Sequence, residues 1–213
     1  MNYFLVKRFL DVVGASVGLI LFSPIFLLVA LFIKLNSRGP MFADIPSRVG
    51  AGGKTFKMYK FRSMIVNAHD VLRKDPKYKQ LYEQYKKSNF KVSTDQDPRI
   101  TKVGRFIRKT SLDELPQFIN ILKGDMSLVG PRAFHGDELE EQQQRYPETR
   151  KLVVELLGVK PGLTGPWQVS GRSSVDFPER VKLDADYAKS NSVINDIKII
   201  LKTIPAVLKG EGN

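Results

Sequence analysis

Residues Val12 to Ile33, VVGASVGLILFSPIFLLVALFI, form an uninterrupted run of 22 residues without a formal charge. At about 1.5 Å per residue, a helix of that length covers the hydrocarbon core of a bilayer, so the run predicts a chain that meets a membrane. Ser23-Pro24 stands in the middle and divides the run into two arms of about 11 residues, each about 17 Å if helical and too short to span alone. A bend in a spanning helix is the ordinary outcome of such a proline. The flanking charges argue for another: Lys7 and Arg8 precede the run, Lys34 and Arg38 follow it, and positive flanks stay on the cytoplasmic side. A re-entrant helix that dips in, turns at Ser23-Pro24 and returns meets both constraints. A cleaved signal peptide is the minor alternative, disfavoured by the length of the run and the lack of a clear small-residue cleavage site.

The remainder has the composition of a globular domain. Of 213 residues, 42% are hydrophobic and 26% charged, enough to bury one core. The division expected is residues 1–36 as membrane helix and 37–213 as one cytosolic domain. A net charge of +12 predicts an anionic partner without choosing among nucleic acid, lipid and phosphorylated small molecules. The absence of cysteine excludes disulfides and thiol catalysis, and only two histidines, His69 and His135, exclude a histidine-rich metal cluster.

The chemistry concentrates in 109–132, KTSLDELPQFINILKGDMSLVGPR. Asp113 and Glu114 are adjacent acids among Arg99, Arg105, Arg108 and Arg132. A carboxylate can attack phosphorus or hold Mg²⁺, while arginines neutralise the phosphate oxygens that would repel the attack. A purely structural reading has equal standing. Ser111-Leu112-Asp113-Glu114 matches a capping box, with Ser111 as N-cap and Glu114 reaching back, and Leu112, Leu115, Ile119 and Leu122 form an apolar stripe. Pro116 complicates that register, so the helix is either kinked or starts later.

Around this centre, Thr55 to Met64, TFKMYKFRSM, predicts an amphipathic strand whose basic residues, Lys57, Lys60 and Arg62, are either solvated or phosphate-binding. Within Val66 to Lys91, Tyr78, Leu81, Tyr82 and Tyr85 predict an amphipathic helix. Asp95-Gln96-Asp97-Pro98 is a turn rather than a calcium loop. Gly124-Asp125 should end the helix after the acidic pair, and Met126 to Val129 should be a short buried strand delivering Arg132. Glu138 to Leu157, broken by Pro147, reads as a solvated surface element. Lys160 to Arg172, KPGLTGPWQVSGR, is a glycine-rich loop offering Trp167, Gln168 and Arg172. A final basic helix, Val193 to Lys209, puts Ile194, Ile197, Leu201, Ile204 and Leu208 on one face, for the core or for lipid.

These motifs occur together and in order: Lys7-Arg8 with Asp11, Ser23-Pro24, TFKMYKFRSM, Asp97 to Thr101, SLDELPQ, GDMSLVGPR, KPGLTGPWQVSGR and the basic terminal helix. Over nearly its whole length the chain resembles bacterial sugar transferases, the monotopic polyprenyl-phosphate phosphoglycosyl transferases. The resemblance implies an α/β domain with a re-entrant membrane helix and interfacial amphipathic helices, on the cytoplasmic face of the bacterial inner membrane. It implies that Asp113 attacks the β-phosphorus of a UDP-sugar, expelling UMP, and that polyprenyl (undecaprenyl) phosphate then takes the phosphosugar, as a first membrane step of glycan assembly. Glu114 would bind Mg²⁺. Lys60, Arg62, Arg99, Arg108, Arg132, Gln168 and Arg172 would serve substrate binding, with Asp184 as a supporting acid. Membrane lipid is then the further partner, nucleic acid is not, and self-association is left open. The segment Val66 to Lys91 resembles members that transfer hexose phosphates. One departure is Ala133, where the family often has a second proline. The rival readings are a non-catalytic basic scaffold on anionic lipid or nucleic acid, and a Mg²⁺-dependent phosphohydrolase that sends water to the phosphorus.

Overall fold

The computed structural model describes residues 3–43, 47–87, 94–171 and 175–208. The apolar run lies inside one helix, α1 (Tyr3–Asn36), which continues through Pro24 and is long and apolar enough to cross a membrane. Proline has no amide for the carbonyl of Ile20 one turn earlier; the Ser23 hydroxyl donates to that oxygen instead, at 2.8 Å. The Ser-Pro pair thus carries its own repair, as side chains do inside apolar helices.

One face of α1 is packed along nearly its full length. Before the proline it lies on α5 (Gln117–Lys123) and β3 (Ser127–Val129), and small residues permit the close approach. A Cβ on Gly18 would fall 2.7 Å from Cζ of Phe118. After the proline, Val29 and Ile33 pack with Phe61 and with Ile107 of α4 (Lys102–Lys109). Other faces expose Leu5, Phe9, Val17, Ile20, Leu21, Leu27, Leu31 and Leu35. The charged start of the helix is a docking device as well as a topology signal. Arg8 donates to the carbonyls of Ile121 and Leu122 at 2.6 and 2.8 Å, serving orphan acceptors at the end of α5. Buried Asp11 accepts from the Ser127 hydroxyl and the Leu128 amide, both at 2.9 Å.

The globular part mixes short strands with helices. A three-stranded antiparallel sheet has the order β2 (Thr55–Phe56), β1 (Arg48–Val49), β4 (Phe134–His135). A second, parallel pair joins β3 to β5 (Gly162–Thr164), with Ser127 opposite Gly162 and Val129 opposite Thr164. The expected strand over Thr55 to Met64 is therefore a two-residue strand followed by extended chain. The reason is Asn120: its side-chain amide accepts from the Tyr59 N–H and donates to the Lys57 carbonyl, both at 2.8 Å, doing the work of a neighbouring strand.

The amphipathic helix read from Tyr78, Leu81, Tyr82 and Tyr85 is α3 (Lys79–Lys87), preceded by α2 (Ala68–Lys74) and a turn at Pro76; residues 88–93 lie outside the described chain. One further expectation needs correction. The supposed surface element is α6 (Gly136–Arg145) and α7 (Arg150–Leu156). It supplies Leu139, Val153 and Leu156 to a core with Phe134, Phe177, Val181 and Ala185. Its few apolar residues are spaced to share one buried face, so polar composition misled. The remaining helices are α8 (Pro166–Val169), α9 (Phe177–Lys189) and α10 (Val193–Leu208). In α10, Ile199 is buried while Ile194, Ile197, Leu201 and Ile204 are exposed, so the apolar face expected there is not spent on the core.

Candidate active site

The acidic pair is not a capping box. Ser111 adopts a left-handed conformation, φ 57°, with no side-chain cap bond. Leu112–Glu114 is a single 3₁₀ turn, and α5 begins only at Gln117, after Pro116. The later start reconciles the proline with the apolar stripe, since Pro116 stands where an intrahelical amide is not needed. The 3₁₀ turn delivers Asp113 to a buried position, 6% exposed, where its carbonyl accepts from the Phe61 amide at 2.9 Å. That contact sets Lys60 against the acids. Its Nζ lies 2.5 Å from Oε1 of Glu114 and 3.7 Å from Oδ2 of Asp113. Burial pushes the Asp113 carboxyl above its ordinary range, Lys60 opposes the rise, Glu114 adds to it and Arg108 opposes it. A buried carboxylate of raised basicity beside two cations is equipped as a nucleophile toward an anionic electrophile.

Arg132, Asp184 and Trp167 form a second group. Arg132 follows β3, and its guanidinium lies 4.7 Å from the Trp167 ring centre. Fully buried Asp184, on α9, accepts from the Arg132 amide at 3.2 Å and from the Trp167 amide in the first turn of α8. One carboxylate thereby ties together the two segments, GDMSLVGPR and KPGLTGPWQ, that the sequence singles out for phosphate contact. Burial pushes its pKa up to about 6 against the pull of Arg180 and the two amides. Gln168 follows Trp167 on α8.

Two of the selected arginines are engaged elsewhere. Arg62 donates to the carbonyls of Ser37 and Arg38, at 2.9 and 2.6 Å, fixing the chain just beyond α1. Arg99 forms a buried two-point pair with Asp97, 2.9 and 2.6 Å, and reaches the Ala68 carbonyl at 3.1 Å. Asp97-Pro98-Arg99 is thus a turn locked by its own ion pair. Arg172 lies outside the described residues. Sequence reasoning passed over Asn120, Arg48 and Arg180. Only Arg180 left a usable signal, its place four residues before Asp184 on one helix face.

The acids fit a hard divalent cation in chemistry: Mg²⁺ takes one or two carboxylates and completes its shell with substrate phosphates and water. Among the described residues no cluster of three or more His, Cys, Asp or Glu side chains is placed to hold a metal by itself, so any cation here would depend on substrate oxygens.

Comparison with known proteins bears on the whole chain. The model for the family of bacterial sugar transferases matches residues 2–210. The undecaprenyl-phosphate galactose phosphotransferase of Salmonella typhimurium is 47% identical over 97% of this chain and 41% of its own length. The UDP-glucose:undecaprenyl-phosphate glucose-1-phosphate transferase of Escherichia coli is 42% identical over 94% of this chain and 39% of its own. The exopolysaccharide production protein ExoY of Rhizobium meliloti is 42% identical, over 97% of this chain and 87% of its own. The chain therefore spans less than half the length of several relatives and most of another. A match over residues 2–210 makes this chain a member of the bacterial sugar transferase family.

Proposed function

We propose that the protein transfers a hexose 1-phosphate from a UDP-sugar to undecaprenyl phosphate in two displacements. A carboxylate oxygen of Asp113 attacks the β-phosphorus, the bond to the bridging oxygen breaks, and UMP departs with that oxygen. The sugar phosphate is then an acyl phosphate on Asp113. A phosphate oxygen of the lipid attacks the same phosphorus, the aspartyl bond breaks, and the carboxylate is regenerated beside a polyprenyl diphosphosugar. The observation that carries this reading is the buried Asp113 held by Lys60 at 3.7 Å. The names of the galactose and glucose relatives supply the substrate class. Lys60 and Arg108 would offset charge on the transferring group. Glu114 would hold Mg²⁺ together with donor phosphates, and the cation would spread the phosphoryl charge. The lipid acceptor suits a re-entrant α1. Both arms of the helix, from Arg8 to Ile33, pack on one globular body, which favours a helix that returns to its own side.

The test is UDP-galactose or UDP-glucose added to purified protein without lipid. One equivalent of UMP should appear, with a mass gain of one hexose phosphate on the peptide carrying Asp113, and Asp113→Asn should show neither. Lipid-dependent turnover persisting in Asp113→Asn would instead mean direct transfer.

A further inference from the structure

Arg180 is 5% exposed, yet it belongs to no phosphate-facing segment. Its guanidinium carbon lies 3.9 Å from the Phe134 ring centre and 4.9 Å from that of Trp167, the same indole that carries Arg132 at 4.7 Å. Its Nη1 is 3.5 Å from Oε1 of Glu138 on α6, while its Nε and Nη2 are buried without a hydrogen-bond partner among the described residues. Burial and the nearby charge of Arg132 both depress its pKa, to about 10, so it remains charged. Arg48 is also buried here, with Nη1 3.4 Å from the Ala133 carbonyl. A core seldom accepts two buried guanidiniums behind a half-exposed third with so few acceptors, because the desolvation is recovered only in part.

We infer that Arg180 is a positioning residue that acts through Arg132, occupying Glu138 and repelling the Arg132 guanidinium so that it stays on Trp167 and available to an anionic donor. This rests on the function proposed above. Asp184 fixes the Arg132 backbone, but a backbone anchor leaves the side chain able to turn. Without the Arg180 charge, Glu138 loses its buried partner, and Arg132, which shares the Trp167 ring with Arg180, is the cation that turns inward to it.

Positioning through Arg132 predicts a split between KM and kcat and a rescue that a packing role would not give. With UDP-galactose and UDP-glucose as donors, Arg180→Gln should raise the donor KM about tenfold, the loss expected when one charge-assisted phosphate contact is misplaced, with kcat within about twofold. Arg180→Lys, which keeps the charge, should remain close to wild type. Glu138→Gln added to Arg180→Gln removes the competing acceptor and should restore most of the KM. UMP affinity, measured by titration without turnover, should follow the same order. An unchanged KM in Arg180→Gln, as when Glu138 turns to Arg48, would overturn the inference, and so would a double variant no better than the single one. A wild-type protein that binds UMP but consumes neither donor would refute the proposed function and leave the UMP series to judge Arg180.

Discussion

Asn120 shows how much a single side chain can replace. Completely buried on α5, it gives its amide to the Lys57 carbonyl and its carbonyl to the Tyr59 N–H, and by holding that stretch extended it sets the next residue, Lys60, against Asp113 and Glu114. Asn120→Ala would leave two backbone groups without partners in a closed region. The expected cost is about 2–3 kcal/mol, from the roughly 1 kcal/mol of each lost bond plus the desolvation left behind. Chemical denaturation checks the stability. Asn120→Asp makes a sharper comparison, since it keeps the acceptor for Tyr59 but loses the donor for Lys57 and places a charge against the Asp125 carboxylate. If both variants match wild type in midpoint and UMP release, the extended segment is held by something else. Nothing in the sequence pairs position 120 with positions 57 and 59, because a side chain that imitates a strand has no periodicity. The acidic pair and the cations near it, by contrast, were legible as residue types long before their distances.

At the scale of elements, what was readable depended on whether local chemistry and burial agreed. Gly124, with φ 88°, ends α5 where a glycine after an apolar stripe should, and β3 pairs where a short apolar segment between turns suggested. The α6–α7 pair failed because Leu139, Val153 and Leu156 are few among charged neighbours, yet all are buried; tertiary packing outweighed composition. In α1 the expected turn at Ser23-Pro24 is absent: the helix continues through Pro24, and the arms on both sides rest on one body. Replacing Ser23 and Pro24 by leucine restores the missing amide and removes the Ile20 cap. An apolar run without that weak point, long enough to cross, should then compete with packing on Phe61 and Ile107. A cysteine introduced before Tyr3 should stay protected from an impermeant reagent outside wild-type cells and become labelled in the double-leucine variant. Labelling in wild type would mean that α1 spans.

For the molecule as a whole, chemistry and stability are set to respond oppositely to acid. Burial raises the carboxyls of both Asp113 and Asp184, the latter to about 6. In the proposed transfer Asp113 attacks only when ionised, so single-turnover UMP release should fall as the pH drops through its raised pKa, an acid limb above the usual carboxylate value of about 4. The stability sign is reversed. A carboxyl with a folded-state pKa above its unfolded value binds its proton more tightly when folded, so its contribution is complete below about pH 4 and is lost as pH rises through the folded pKa. For Asp184 that window runs from about 4 to about 6, and the shift is on the order of 2–3 kcal/mol. Other groups titrate in the same range, so the quantity to read is the difference between wild type and Asp184→Asn. The variant lacks the buried charge and should gain on wild type as pH rises from about 4 to about 7, while losing donor affinity because its hold on the Arg132 and Trp167 amides is weaker. Melting temperatures that move in parallel for the two proteins across that window would show that Asp184 is not the group that titrates.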